Sequence, residues 1–460
     1  MREIDKKRKQ SSGEPSGIGL FAKKPRTSSE LTDLEISLVA GHGHTFLYIK
    51  GKDGEDKLYG CGNDAGQLGL GNTTDRNEWT KVPVPQGFSV EKVIAGNYHS
   101  ILKGKGKDGE EKLYASGKNH NGQLGLGDIT DRHQWTEVPV PKEFTIEKVM
   151  AGRSHSFLKG KDKDGEEKLY GCGWNIFGQL GLGDRRKRKK FTEVSVPQGF
   201  SVEKVIAGYG HSILKGKGKG GEDKLYASGW NKYGQLGLGD RRRRKKFTEV
   251  SVPQGFSVEK VVVGDNHSFL KGKGKGGEDK LYASGWNKYG QLGLGDNNDR
   301  NEWTEVPVPQ GFSVEKVVVG ENHSFLKGKG VGGENMLYAS GLNHFGQLGL
   351  GDKNNRRKWT EVPFPKGFKL EQVAVRNYHS FLIGKGVNGE DKLYAMGYNW
   401  EGQLGLGDRR NRKKWTEVPI TDLLKKLQKD VSDSKQEGGV SEASGSSSSS
   451  MGLNPRDCIF

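Results

Sequence analysis

Histidine is the residue type best suited to proton transfer and metal binding near neutral pH, and here it recurs at one position of a repeated pattern. Gly-x-x-His-type turns contain His44, His99, His155, His211, His267, His323 and His379. No cysteine or carboxylate set with metal-ligand spacing accompanies these histidines. No set of nucleophile, base and orienting residue recurs, and the chain has no GxxxxGK[ST] loop for phosphate. We therefore expect no metal, no cofactor and no conventional catalytic site.

The string GQLGLG marks the repeat most clearly, because it returns every 56 residues without insertion or deletion. Its seven copies begin at Gly66, Gly122, Gly178, Gly234, Gly290, Gly346 and Gly402. A fixed period of this length indicates units that cannot bury a core alone and must stack on one another. We therefore predict a single repeat domain over residues 33–420.

Each unit contains four short strand-like segments separated by turn residues. In the unit 256–312 they are SVEKVVVG, HSFLKGK, KLYASGW and NEWTEVPV. Four antiparallel strands repeated seven times predict an all-β fold, a seven-bladed β-propeller. The last unit ends at Ile420 without an SVEKV segment, whereas LEISLVAG at 34–41 precedes the first. We therefore predict that the N- and C-terminal strands share one blade and so close the ring.

Residues that are identical in all seven units are predicted to build the blades rather than to bind a partner. The glycines permit close approach of the backbone, and the polar side chains satisfy buried loop groups. The invariant asparagines are Asn63, Asn119, Asn175, Asn231, Asn287, Asn343 and Asn399.

The segment after GQLGLG differs between units, and in four of them it is strongly basic. The third, fourth, sixth and seventh units carry six, six, four and five basic residues there, which together exceed the net charge of +17. From the strand order, we expect these tracts to share a face with the Gly-x-x-His-type turns. A basic face attracts phosphate-rich or acidic partners, although a solvated loop set is the open alternative. The candidate basic-face residues are Arg185, Arg186, Arg188, Arg241, Arg242, Arg243, Arg244, Arg356, Arg357, Arg409, Arg410 and Arg412.

The GxNxxGQLGLGD string and the preceding AGxxHS resemble the repeat of the regulator of chromosome condensation family, whose members are seven-bladed β-propellers. The resemblance spans all seven units. It implies a protein like the family's founding member, which binds the small GTPase Ran through one propeller face and promotes nucleotide release, partly with acidic turn residues.

The turn residues at which this resemblance places a GTPase interface form a second candidate set. They are Tyr98, Arg153, Tyr209, Asp265, Asn266, Glu321, Asn322 and Tyr378. Only Asp265 and Glu321 are acidic, and they occur later in the chain than the family's acidic pair. The unbroken period also leaves no room for the β-wedge that the founding member inserts against its GTPase. Exchange activity is therefore an open question, whereas GTPase binding is the expected function.

Three hypotheses follow for the function. The first is a propeller that binds a Ran-type GTPase and acts as a guanine-nucleotide exchange factor. The second is a chromatin or nucleic-acid docking module, and the third is a scaffold that recognises acidic proteins or anionic lipids. The family's ultraviolet photoreceptor branch uses tryptophans in GWRHT motifs, whereas Trp174, Trp230 and Trp286 stand in GWN.

The flanking segments are predicted to address and tether the domain. Residues 1–32 form a disordered basic arm that either resembles a bipartite nuclear import signal or contacts nucleic acid. Residues 421–460 are predicted as a short helix followed by a disordered Ser/Gly-rich tail. Cys458 stands third from the end, whereas prenylation requires a cysteine in fourth place. The polar tail also resembles export signals of bacterial effectors delivered into host cells.

The remaining composition favours an intracellular protein. Its three cysteines lack disulfide-framework spacing, and no run of eighteen apolar residues or signal peptide is present. We therefore expect a monomer in the nucleus or cytoplasm.

Overall fold

The computed structural model describes residues 35–50 and 56–420, which form twenty-eight β-strands and no helix. The predicted basic arm, the predicted helix and tail at 421–460, and Cys458 lie outside the described residues. Within the described part, no helix is long and apolar enough to cross a membrane.

The strands fall into seven sheets of four, each formed by consecutive strands. Blades one to three contain β1 (Glu35–Ala40), β2 (His44–Lys50), β3 (Lys57–Gly62), β4 (Arg76–Lys81), β5 (Ser89–Ala95), β6 (His99–Lys105), β7 (Glu111–Gly117), β8 (Arg132–Glu137), β9 (Thr145–Ala151), β10 (His155–Lys161), β11 (Glu167–Gly173) and β12 (Arg188–Glu193). Blades four and five contain β13 (Ser201–Ala207), β14 (His211–Lys217), β15 (Asp223–Gly229), β16 (Arg244–Val250), β17 (Ser257–Val263), β18 (His267–Lys273), β19 (Asp279–Gly285) and β20 (Arg300–Glu305). Blades six and seven contain β21 (Ser313–Val319), β22 (His323–Lys329), β23 (Asn335–Gly341), β24 (Arg356–Glu361), β25 (Lys369–Arg376), β26 (His379–Lys385), β27 (Asp391–Gly397) and β28 (Arg412–Glu417).

The seven sheets surround a central channel. The first strand of each blade lies innermost, since these strands contact one another in a closed circuit from β1 through β5, β9, β13, β17, β21 and β25 back to β1. All neighbouring strands within a blade are antiparallel. The predicted all-β, seven-bladed propeller with four antiparallel strands per blade is therefore confirmed.

Each hydrophobic core lies between two neighbouring blades. Phe269 and Leu281 of the fifth blade, for example, pack with Val317 and Leu326 of the sixth. Because each blade is covered on both faces, the first four residues of β18 are all buried instead of alternating between core and solvent. Full burial of each large apolar side chain is worth about 1.5–3 kcal/mol. The stability of each blade thus depends on its neighbours.

The prediction that the terminal strands share one blade is wrong. Strand β1 pairs with β2, with Leu38 opposite Leu47, and the two belong to a complete first blade. The seventh blade is likewise complete, with β28 paired to β27. The tight turn after β1 returns the chain at once, so local antiparallel pairing satisfies the backbone groups of β1 within its own blade.

The ring closes instead by the contacts that join every other pair of blades. Leu38 of the first blade and Phe381 and Val418 of the last belong to one core cluster. The N–H of Gly407 also donates to the carbonyl of Asn77 at 2.9 Å. The equivalent glycine of each C–D loop, the connection between the third and fourth strands of a blade, makes the same bond to the fourth strand of the next blade. The interface between the seventh and first blades therefore has the same kind of contacts as the other six interfaces.

Glycine is required where the third strand of a blade passes its Gly-x-x-His-type turn. Gly285 has a φ of +106°, and a Cβ there would overlap the carbonyl oxygen of Asn266 and lie 2.8 Å from the Cα of His267. Gly277 also has a positive φ, +83°, but a Cβ there would meet nothing within 4 Å. The two positions therefore share backbone strain and differ in steric room.

We expect Gly285→Ala to lower the free energy of unfolding by about 3 kcal/mol or more, because backbone atoms must move as well as adopt a strained φ. Gly277→Ala is the matched control. It should lower the free energy of unfolding by only about 1–2 kcal/mol, because only the left-handed conformation is unfavourable there. Urea unfolding followed by tryptophan fluorescence measures both. Equal losses would contradict the steric account of Gly285.

Candidate functional site

One end of the propeller carries the parts of the repeat in which residues vary. The Gly-x-x-His-type turns connect the first and second strands of each blade, and the C–D loops contain GQLGLG and the basic tracts. Both connections lie at the same end of the blade, and the N–H of Trp286 in the loop donates to the carbonyl of Asn266 in the turn at 2.8 Å. We call this surface, formed by the seven turns and the seven C–D loops, the turn face.

The seven histidines lie beneath the turn face and link neighbouring blades. The Nε2 of His99 is 2.9 Å from the hydroxyl of Ser156 in the next blade, and the pattern continues until His379 reaches Thr45 at 3.5 Å. Since Ser156 donates its own proton to the carbonyl of Gln123, the histidine is the donor and carries its proton on Nε2.

Burial keeps these histidines neutral. Each is fully buried, and burial lowers the pKa of His99 and its equivalents, to about 3 for His99 itself. In the described part of the chain, no group of three or more His, Cys, Asp or Glu side chains is arranged to hold a metal ion. The histidines thus act as interblade hydrogen-bond donors.

The invariant asparagines hold the C–D loops. Asn287 donates to Asp296 and accepts the N–H of Leu292, and Asp296 also forms an ion pair with Arg300 at 2.6 Å. The arrangement recurs in every unit but the first, where Asn63 bonds to Asp75 instead. The asparagine prediction is therefore confirmed, with one local variation.

The same loop chemistry divides the candidate basic-face residues into two groups. Four of them pair with an aspartate four residues earlier at 2.6–2.7 Å: Arg188, Arg244, Arg356 and Arg412. These four stabilise the loop. Arg132 and Arg300 form the same kind of pair in units without a basic tract. The other eight are exposed, seven of them in the C–D loops and Arg357 near the start of β24, at the edge of the turn face: Arg185, Arg186, Arg241, Arg242, Arg243, Arg357, Arg409 and Arg410.

An arc of aromatic side chains runs across the turn face between the basic loops and the channel. Phe177 packs edge-on against Trp230 with ring centroids 3.9 Å apart, and the guanidinium carbon of Arg243 lies 4.5 Å from the Trp230 ring centroid. On the inner side, Trp174 contacts both Phe177 and Tyr209. We call Trp174, Phe177, Tyr209 and Trp230 the aromatic arc.

Tyr209 is among the predicted turn residues, but Trp174, Phe177 and Trp230 were not predicted as site residues, although a signal for the contact between Phe177 and Trp230 is present. The residue before GQLGLG in one unit pairs with the residue after the Gly of Gly-x-Asn in the next, 53 positions later. Both are aromatic in three cases: Phe177 with Trp230, Tyr233 with Trp286, and Phe345 with Tyr398. Aromatic residues paired at this spacing therefore mark contacts between neighbouring blades.

A second missed residue is Arg376, which replaces the first glycine of the seventh Gly-x-x-His-type turn. In the other six turns a Cβ at that glycine would overlap the imidazole of the turn's own histidine. The seventh turn avoids the overlap by a different path, with Asn377 at a φ of +47° and Arg376 paired to His379. The guanidinium of Arg376 donates to Asn97 across the channel at 3.3 Å.

Arg376 meets the two acidic candidates and Arg153 at the mouth of the channel. Burial raises the pKa of Asp265, which is only 8% exposed, while Arg376 and Arg153 oppose the rise. Burial and the nearby Asp265 raise the pKa of Glu321 to about 7, although its hydrogen bond with Tyr378 favours the ionised form. We call Arg153, Asp265, Glu321, Arg376 and Tyr378 the channel-mouth cluster.

The other turn candidates surround this cluster. Arg153 lies 4.0 Å above the ring of Tyr209 and so joins the cluster to the aromatic arc. Asn322 lies 3.5 Å from the hydroxyl of Tyr378, whereas Tyr98 packs against His42 on the opposite side of the channel. Asn266 contributes its backbone carbonyl to the C–D loop.

A closed ring of seven four-stranded blades with one repeated turn and loop defines this chain as a repeat-built β-propeller. The model of the regulator of chromosome condensation (RCC1) repeat matches residues 55–102, 110–158, 166–214, 222–270, 278–326 and 334–383. The chain therefore belongs to the RCC1-repeat family, which confirms the resemblance.

Similar proteins share the fold and differ in activity. The ultraviolet-B receptor UVR8 of Arabidopsis thaliana is 31% identical over 333 residues, or 72% of this chain and 69% of the receptor. The serine/threonine-protein kinase Nek9 of Xenopus laevis is 29% identical over 252 residues, which cover 52% of this chain but 25% of the kinase. The structure of Prp20p, the RCC1 of Saccharomyces cerevisiae, has a TM-score of 0.61 at 16% identity and covers 86% of this chain and 90% of that chain. The fold therefore does not identify the partner of this chain, and the chemistry of its turn face has to indicate it.

The channel-mouth cluster predicts an unusual pH dependence of stability. The pKa of Glu321 is raised in the folded state. The carboxyl group of Glu321 therefore contributes favourably to the free energy of unfolding below about pH 4.5, and this contribution is lost as pH rises towards 7. Glu321→Gln should therefore gain roughly 1–3 kcal/mol relative to the parent between pH 5 and pH 8.

Urea unfolding at the two pH values measures this difference, and the buried histidines contribute equally to both proteins and cancel. Glu302→Gln, which removes the same charge from an exposed position, is the control and should show no such gain. If Glu321→Gln follows the parent at both pH values, Glu321 is ionised normally and the cluster does not act as described.

Proposed function

We propose that this chain is a docking propeller that binds an acidic surface of a Ran-type small GTPase through its turn face. The observation that carries the proposal is the combination, on one face, of eight exposed arginines with the aromatic arc. The proposed function is binding rather than catalysis.

The aromatic arc supplies the kind of contact on which protein interfaces depend. Trp230 is half-buried between Phe177 and Arg243, which fixes its orientation before any partner arrives. Tryptophan, tyrosine and arginine dominate the few interface residues whose truncation costs about 2 kcal/mol or more. A preorganised aromatic surface also loses little side-chain entropy on binding.

The exposed arginines define the charge of the partner. Long-range attraction to an acidic surface raises the rate of encounter and excludes basic partners. Prp20p has been described with its binding properties to Gsp1p and histones. Between partners of these two kinds, the charge of this turn face favours the GTPase over the basic histones.

The channel-mouth cluster bears on exchange activity. Asp265 is buried beside two guanidinium groups, so direct contact of its carboxylate with a partner requires the cluster to open. The binding proposed here relies on the arginines and the aromatic arc and does not need these carboxylates. Promotion of nucleotide release is a separate property that the same assay measures.

Nucleic-acid docking is the second candidate function, and the placement of the basic loops favours it. Exposed arginines stand in the C–D loops of the third, fourth and seventh units, and the sixth unit adds Lys353 in its loop and Arg357 near the start of β24, so positive charge extends around much of the rim. Counterion release by such a rim would produce affinity that falls steeply with salt. An interface with an apolar centre should depend on salt more weakly.

The test is calorimetric titration of the purified chain with Ran and a panel of other small GTPases, alongside release of a fluorescent guanine nucleotide. We expect one GTPase to bind, and both Trp230→Ala and Arg243→Ala to weaken that binding at least tenfold. The double variant Lys219→Ala and Lys275→Ala removes exposed charges from the opposite end of the propeller and should change affinity less than threefold.

Failure of every GTPase to bind would refute the leading proposal. Tight binding to a DNA duplex, lost between 50 and 200 mM salt and weakened by Arg241→Ala and Arg242→Ala, would then support the second candidate. Binding that Lys219→Ala and Lys275→Ala weaken more than Trp230→Ala would move the interface away from the turn face.

A further inference from the structure

A second row of aromatic side chains crosses the turn face in the C–D loops of the fourth to seventh units. Tyr233 stacks on Trp286 with ring centroids 5.2 Å apart, and Trp286 lies 5.4 Å from Tyr289. Contacts of the same kind join the loops of the sixth and seventh units. We call this set the aromatic track, and it consists of Tyr233, Trp286, Tyr289, Phe345, Tyr398 and Trp400.

The track continues from the fifth unit to the seventh through further ring contacts. The ring of Tyr289 lies 6.1 Å from that of His344, whose chain neighbour Phe345 packs edge-on against Tyr398 at 5.0 Å. Tyr398 in turn lies 5.6 Å from Trp400, where the track ends. Aromatic side chains thus form a row that connects four neighbouring loops.

The track is held in place at most of its length and open to solvent at one end. Trp400 is 61% exposed, whereas the other five members are partly buried. The carboxylate of the adjacent Glu401 is turned towards Gly43 of the first blade, where a Cβ would lie 2.2 Å from its Oε2. Large exposed apolar side chains that belong to a contiguous row are typical of binding surfaces.

The side chains beside the track make it attractive to anions. The residue after the invariant asparagine is an exposed lysine in the fourth and fifth units, Lys232 and Lys288, and the Nζ of Lys232 lies 5.7 Å from the ring centroid of Tyr233. Lys353 and Arg410 add exposed positive charge in the sixth and seventh units. The aspartates of these four loops each pair with an arginine: Asp240, Asp296, Asp299, Asp352 and Asp408.

We propose that the aromatic track binds single-stranded nucleic acid, with bases stacked on its rings and phosphates held by the basic side chains beside it. Proteins that bind single strands combine aromatic side chains on which bases stack with a positively charged surface. The bases of a duplex are stacked on one another and paired, so they cannot reach rings on a protein surface. An acidic protein would use the charges but not a row of ring faces.

The track and the aromatic arc are separate sets of residues. The arc lies in the third and fourth units and carries the proposed contact with a GTPase, whereas the track begins at Tyr233 and extends to the seventh unit. The inference therefore does not rest on GTPase binding. It also differs from duplex docking, which needs only phosphate contacts along the basic rim.

The experiment is fluorescence anisotropy of the full chain with a labelled single strand of about 12 nucleotides, a length within the site sizes of stacking proteins. We expect Trp400→Ala to weaken binding about tenfold through the loss of one stacked base, and Trp400→Phe to restore most of the affinity. Because Trp400 is 61% exposed, the thermal midpoint should be unchanged in both variants.

The strand is tested as RNA and as DNA, since every base has a flat face in either polymer. Binding of either one at the track supports the proposal. A preference for RNA would indicate an additional contact with the 2′-hydroxyl group.

The matched control for Trp400→Ala is Ile129→Ala. Ile129 is 49% exposed in the C–D loop of the second unit, on the same face but outside the track, so its truncation should change affinity by less than about twofold. A duplex of the same sequence should not respond to Trp400→Ala. Polyglutamate of similar length should compete weakly with the single strand, because it carries charge without rings.

Salt dependence separates the basic residues from the rings. The double variant Lys232→Gln and Lys288→Gln removes two phosphate contacts and should reduce the slope of log affinity against log salt by about 1.4. Trp400→Ala should weaken binding by the same factor at each salt concentration. The double variant Lys219→Gln and Lys275→Gln, at the opposite end of the propeller, should leave the slope unchanged.

Absence of binding to both single strands would overturn the proposal. Equal losses in Ile129→Ala and Trp400→Ala would do the same, as would a duplex that Trp400→Ala weakens as much as the single strand. If polyglutamate competes as well as the single strand, charge alone is recognised and the stacking account is wrong. None of these results affects the proposed GTPase contact, which is tested with Trp230→Ala and Arg243→Ala.

Discussion

The hydrogen bond from a buried histidine to a hydroxyl of the next blade is the contact on which this architecture depends. It recurs around the axis from His44 to His379, and the last copy returns to Thr45 in the first blade. Because both partners are fully buried, loss of either one would leave an unpaired polar group in the core. The backbone bond from each C–D loop to the next blade reinforces the same joint farther from the axis. Together they let identical blades close without a special terminal strand.

Because these hydrogen bonds hold the blades together, residues on the turn face can vary without loss of the ring. The loops are held from within by an asparagine, an aspartate and an arginine, as Asn287, Asp296 and Arg300 show. Residues between these anchors face solvent and can change charge without loss of the loop. The repeat thus provides a ring-shaped surface whose charge differs from blade to blade.

Much of the fold was accessible from sequence because the repeat specifies local contacts. The strand order follows from alternating strand and turn segments, and the role of Asn287 follows from its invariance within the chain. The prediction of a shared terminal blade failed because the LEISLVAG segment pairs with the strand that follows it, which a count of segments alone does not reveal. The candidate site was accessible only in part. Arg188 and its equivalents were grouped with the exposed arginines, since a basic tract does not show which of its members has an aspartate partner.

The sequence by itself determined the number of blades, the four strands of each, the family and the residues at which the units differ. These properties depend on contacts within one unit or on a period, and both can be seen along the chain. The tertiary structure alone decided that Arg376 lies beside Asp265 and Glu321, and that Trp230 is held between Phe177 and Arg243. These groups are far apart in sequence, and closure of the ring brings them within range of one another.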